Sequence, residues 1–118
     1  MMAFEFFLGG YGRSNFKVRL QDGHLHCAES EGGPYVEQEK TVSITDAPAW
    51  QNLVAFLENC RWKKKYVEMV CDGNQWELNW QTPHQKLKSY GSNSYPADFN
   101  QFLALLNACL TEINVTLS

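Results

Sequence analysis

In Phe16-Lys17-Val18-Arg19-Leu20-Gln21-Asp22-Gly23-His24-Leu25-His26-Cys27, apolar and polar side chains alternate on both sides of an Asp-Gly pair. A period of two sends Phe16, Val18 and Leu20 to one face of a strand and Lys17 and Arg19 to the other, the pattern of a half-buried strand. Asp22-Gly23 tolerates the positive φ angles of a tight reversal, and Leu25 and Cys27 then alternate with His24 and His26. The stretch therefore predicts a β-hairpin with one face buried and one in water. Working outward, Phe4, Phe6 and Leu8 alternate before it, and Thr41-Val42-Ser43-Ile44-Thr45 alternates after it, beyond the loop Glu31-Gly32-Gly33-Pro34. Together these segments predict a first sheet of about four strands.

Trp50, Leu53, Val54 and Leu57 then recur at helical spacing, with Asp46 placed to cap the helix and Pro48 in its first turn. The basic run Arg61 to Lys65 follows, where positive charge meets the negative pole of the helix. The same order repeats: Tyr66 to Cys71 as a strand, Asp72-Gly73 as a turn, Trp76, Leu78 and Trp80 alternating, a loop at Pro83, and Lys86 to Tyr90 as a further strand. After Gly91-Ser92-Asn93-Ser94 and Pro96, the stripe Phe99, Phe102, Leu103, Leu106, Leu110 and Ile113 predicts a longer terminal helix.

Asp22-Gly23 aligns with Asp72-Gly73, and Trp50, Leu53, Val54, Leu57 and Cys60 align with Phe99, Phe102, Leu103, Leu106 and Cys109. This points to an internal duplication, although Val67, Met69 and Cys71 do not keep the register of Phe16, Val18 and Leu20. The expectation is one α+β domain over residues 1–118. It would consist of two pseudo-repeated, antiparallel sheet-then-helix units, ββββα and βββα, over about 1–62 and 63–118. In arrangement this resembles the Whirly family, whose members bind single-stranded nucleic acid.

The chain has 118 residues, 44% of them apolar and 14% aromatic, enough to bury one core without disulfides or metals. Met1 to Gly9 carries no basic leader and is too short to span a bilayer, and Cys27, Cys60, Cys71 and Cys109 form no CxxC pair. A cytoplasmic protein with no membrane association is expected. Thirteen acids against ten bases give a net charge of −3, which argues against the broad basic face of a nucleic-acid binder.

His24 and His26 share a strand face, but a zinc site needs a third and usually a fourth ligand, and the nearest are Glu29 and the remote His84. No metal site is assigned. The cysteines sit in apolar phase, away from any activating base, and carboxylate pairs such as Glu29 and Glu31 fit a solvated surface, so no catalytic residue is assigned. Gly9-Gly10-Tyr11-Gly12-Arg13 lacks the lysine and hydroxyl residue of a phosphate-binding loop and reads as a flexible turn, so no cofactor is expected. Trp62, Trp76 and Trp80 beside Lys63 to Lys65 would suit a stacking platform for single-stranded nucleic acid, but Trp76 and Trp80 share the core phase of Leu78.

The acidic segment Glu29 to Asp46 is long for a hairpin connection and contains Gly32-Gly33-Pro34, as binding loops do. Asp72-Gly73-Asn74-Gln75-Trp76-Glu77-Leu78, then Lys88-Ser89-Tyr90-Gly91-Ser92-Asn93-Ser94-Tyr95-Pro96, then Phe99 and Phe102, resembles a signature of small bacterial proteins over roughly the last 45 residues. The overall profile is similar to that of toxin-immunity proteins. That resemblance implies a non-enzymatic bacterial protein that binds and neutralises a toxin, in particular a basic nuclease. Glu29, Glu31, Glu37, Glu39 and Asp46 would form the contact surface, with Tyr35 as an aromatic anchor. The alternatives are a single-stranded nucleic-acid-binding module and a structural or adaptor protein; the sequence sets no oligomeric state.

Overall fold

The computed structural model describes residues 2–10, 14–30, 37–68 and 73–118. Four strands, β1 (Ala3–Gly10), β2 (Asn15–Gln21), β3 (His24–Ser30) and β4 (Glu37–Ser43), precede helix α1 (Pro48–Glu58). Strands β5 (Lys65–Val67), β6 (Asn74–Thr82) and β7 (Gln85–Ser92) precede helix α2 (Phe99–Leu110), which tightens into a 3-10 turn over Thr111–Ile113. The fold is mixed α+β.

All seven strands join in one sheet of order β4-β3-β2-β1-β6-β7-β5. The expected separation into two sheets is thus corrected: β1 pairs antiparallel with β2 on one side and with β6 on the other, Phe6 opposing both Val18 and Leu78. Alternation needs only a buried face, and β1 supplies hydrogen bonds on both its edges, so the two halves fuse. A second correction concerns Asp72-Gly73. The strand before it, β5, does not neighbour β6; it pairs in parallel with β7, Lys65 opposite Tyr90, and β6 turns directly into β7 at Pro83-His84. Residues 69–72, the end of the predicted strand and its Asp72, lie outside the described residues.

Both helices cover one face. Phe4, Phe6, Leu8, Phe16, Val18, Leu25, Cys27, Val42, Trp76, Leu78 and Trp80 point to that side and are buried. They meet Trp50, Leu53 and Leu57 of α1 and Phe99, Phe102, Leu106 and Leu110 of α2. Phe6 packs edge-on to Phe102 at 4.9 Å between ring centres, and Phe4 packs on Trp50 at 5.7 Å. Trp62 is buried as well, and its indole N–H donates to Asp98 Oδ1 at 2.7 Å, tying the segment after α1 to the start of α2.

The helix starts differ from expectation. Ala47, not Asp46, is the N-cap of α1, and no side chain caps it. Asp46 lies at φ 55 in a turn closed by the Ala47 amide on the Ile44 carbonyl, which carries its backbone out of line for capping. At the start of α2 the Pro96 carbonyl accepts the Phe99 amide at 3.1 Å, and Asp98 is the N-cap. The stripe of α2 ends with Leu110, and Ile113 falls in the 3-10 turn, where the Lys40 ammonium donates to its carbonyl.

Candidate functional site

The face of the sheet opposite the helices carries no covering element among the described residues. Register places its side chains in transverse rows. One row runs Thr41, His26, Arg19, Glu5, Asn79, Lys88 across β4, β3, β2, β1, β6 and β7; the next runs Glu39, Ala28, Lys17, Phe7, Glu77, Tyr90 and continues to Lys65 on β5. Ion pairs knit the rows: Lys17 to Glu5 at 3.3 Å, Arg19 to Glu39 at 3.7 Å, and His26 Nδ1 to Glu39 Oε1 at 3.0 Å. Phe7 lies half-buried at the centre, its ring close over Gly9, where an aromatic covers backbone that a glycine leaves bare. Tyr90 and Val67, on β7 and β5, are 42% and 47% exposed, two of the most exposed large apolar side chains among the described residues.

The predicted contact residues fall at three places. Glu29, on β3, shares the helix-side phase of Leu25 and Cys27 and is half-buried. Glu39 lies on the open face, held by Arg19 and His26. Glu37 pairs with Ser30 at the start of β4, next to the Glu29–Gln38 pair, so positions 29, 37 and 39 fall at one end of the edge strand β4. Asp46 does not join them. It follows the far end of β4, roughly 17 Å of strand away from Glu29. Glu31 and Tyr35 lie outside the described residues.

Trp62, Trp76 and Trp80 are all buried, so none of the three offers a ring to a stacking base. Arg61, Lys63, Lys64 and Lys65 are exposed, but the backbone from Lys63 to Lys65 is tied to β7: the Ser89 hydroxyl donates to the Lys63 carbonyl at 2.5 Å, the Tyr90 amide to that of Lys64 at 3.0 Å, and Lys65 pairs with Tyr90. Gly9 and Gly10 extend β1 instead of forming a turn; residues 11–13 lie outside the described residues. His24 is exposed with its Nδ1 at 2.8 Å from the Asp22 carbonyl, and His26 is committed to Glu39. Among the described residues no three His, Cys, Asp or Glu side chains are grouped to hold a metal ion. No helix of the described residues is long and apolar enough to cross a membrane.

The run Gly91-Ser92-Asn93-Ser94 forms a clasp between β7 and α2. The Trp76 indole N–H donates to the Ser94 carbonyl at 2.9 Å, and Asn93, at φ 57, exchanges hydrogen bonds with the backbone of Asn74 through its own amide and its Oδ1. Asn74, Trp76, Ser89, Asn93 and Ser94 of this signature thus have hydrogen-bond partners within the fold. Alternation predicts a face in water, but neither this clasp nor the rows of side chains across that face are visible before the register is known.

Cys27, Cys60 and Cys109 are buried free thiols. Burial pushes the Cys109 thiol from its ordinary 9.0 up to about 11. Burial does the same to Cys27, also to about 11, with Glu29 adding to the rise and Lys40 partly offsetting it. Cys60 is raised mainly by burial too. An acid whose pKa is higher when folded keeps its proton while the unfolded chain loses it, so the stability this contributes is full below pH 9 and is lost as pH rises toward 11. The urea midpoint is expected to fall between pH 8.5 and about 10.5, and to fall less in a Cys27→Ala, Cys109→Ala variant. Equal pH dependence in the two proteins would contradict it.

No protein-family model matches the chain, and no curated protein sequence matches it.

Proposed function

We propose that the protein is a non-enzymatic binding domain of the immunity type, a cytoplasmic bacterial protein that neutralises a basic toxin, in particular a nuclease, at the acidic corner of its sheet. One observation carries the reading: β4 is an edge strand with no neighbour on its outer side among the described residues, and Glu29 on β3 and Glu39 on β4 lie on opposite faces beside it, with position 37 at its start. Acids wrapped around an edge present negative potential in two directions, which suits the concave, cationic cleft of an enzyme that binds phosphates. Glu31 and Tyr35, between β3 and β4 in the sequence, belong to the same contact set in this reading, and Asp46 would contribute only long-range attraction. The internal duplication belongs here too, with α1 and α2 as its equivalent helices, both resting on one sheet face in a Whirly-like arrangement.

The test has two steps. Tagged protein is used to capture partners from source-cell lysate at moderate salt, and co-expression is scored for relief of the captured partner's toxicity. Then Glu29→Lys with Glu37→Lys is expected to slow association with that partner by about tenfold or more at low salt, with less effect on dissociation. A non-toxic partner, nucleic acid alone, or an unchanged association rate would each sink the reading.

A further inference from the structure

We propose that two copies of this protein pair into an isologous dimer by packing the open faces of their sheets together, about a twofold axis that lies along β1. The strand β1 is the fourth of seven, so this axis carries β2 onto β6, β3 onto β7 and β4 onto β5 of the second copy. Such a rotation keeps the strands of the two sheets aligned, one of the two established modes of packing sheet on sheet.

The charges along the central row are arranged for that operation. Lys17 of β2 meets Glu77 of β6 in the second copy, and Glu77 meets Lys17 in return. Phe7, on the axis, meets its own counterpart. Tyr90, 42% exposed, is set over the small Ala28 of the other copy, a large side chain into a gap, and Glu39 of β4 comes near Lys65 of β5. In the neighbouring row Glu5 approaches its counterpart near the axis, and Lys17, at 3.3 Å within the same chain, supplies the counter-charge. His26 there faces Lys88, and its contact with Glu39 offsets that pairing. An axis running across the strands instead would stack each strand on itself and set Lys17 against Arg19 of the second copy. Charge complementarity therefore favours the axis along β1 over the axis across the strands.

The area suffices. Seven strands at about 4.8 Å spacing and strands of roughly 25 Å give a face on the order of 700 Å², close to the roughly 800 Å² per partner of a standard interface. The two exposed apolar side chains Tyr90 and Val67 on the face are covered in the process.

Sedimentation equilibrium on the full chain, with no toxin or other partner present, decides the matter; pairing sets Glu39 against the second copy, so toxin and dimer compete for that residue, and the immunity reading keeps its own test in the association rate of the Glu29 and Glu37 variants. Wild type is expected at twice the 13.5 kDa of the chain at micromolar to submillimolar concentration. Lys17→Glu and Glu77→Lys, both on exposed side chains, should each weaken the dimer by about tenfold or more, and the double swap should recover it to within about threefold. A wild-type monomer at the highest concentration, a dimer indifferent to Lys17→Glu, or a double swap no better than the single variants would each overturn the proposal.

Discussion

Trp76→Ala is expected to remove about 3–5 kcal/mol of stability, out of the roughly 5–15 kcal/mol that a domain of this kind possesses. The position lies inside the aromatic core. Trp76 is 1% exposed, and its ring lies 5.4 Å from that of Trp62, 5.2 Å from Phe99 and 5.9 Å from Tyr66. Those neighbours come from α2, from β5 and from the segment after α1, so the cavity left by alanine opens where three elements meet. The indole also donates to the Ser94 carbonyl, so the same change releases the clasp that delivers the chain into α2. Urea unfolding followed by far-ultraviolet circular dichroism measures the loss. A loss under about 1.5 kcal/mol would mean that the cluster collapses into the space and that the ring contacts carry little.

Much of this core is visible in the sequence because burial follows period. Phe4, Phe6 and Leu8, Phe16 and Val18, Leu25 and Cys27, and Trp76, Leu78 and Trp80 alternate and are buried; Trp50, Leu53 and Leu57, and Phe99, Phe102 and Leu106, recur at helical spacing and face the sheet. Alternation fixes which face a residue occupies and says nothing of which strand lies beside it. That is why the pairing of β1 with β6, some 70 residues on in the chain, and the parallel placement of β5 against β7 had no signal. Helix starts were misread for a local reason. Asp46 has the chemistry of a cap, but the left-handed backbone at that residue puts Ala47 at the boundary.

The candidate surfaces divide in the same way. Glu29 and Glu39 were read as one acidic stretch, yet an even separation in a hairpin does not mean a shared face once the chain reverses: Glu29 follows the phase of Cys27, and Glu39 that of Thr41. Asp46 was grouped with them by proximity in sequence and lies at the other end of β4. The alternating charges of the open face are spread over strands from both halves of the chain, so Lys17 and Glu77 become neighbours of Phe7 only through the register of β2 and β6 on β1.

Gly91→Ala is expected to cost about 3 kcal/mol, at the upper end for overpacking, although it adds one methyl group. Gly91 is buried opposite Trp76 in the β6–β7 pair. A Cβ there would stand 2.6 Å from the Ser94 carbonyl oxygen and closer still to the Trp76 indole nitrogen, so it would press on both ends of one hydrogen bond. The backbone at Ser94 is held by the Asn93–Asn74 exchange and cannot retreat without breaking it. If the indole is the main obstruction, the cost is not additive. Gly91→Ala made on a Trp76→Leu background should cost at least about 1 kcal/mol less than on the wild type, because the shorter side chain vacates the space the methyl enters. A double-mutant cycle by urea unfolding reads that coupling directly. Strict additivity would place the strain on the Ser94 carbonyl alone, and the glycine would then be required by the turn into α2 and not by the tryptophan beneath it.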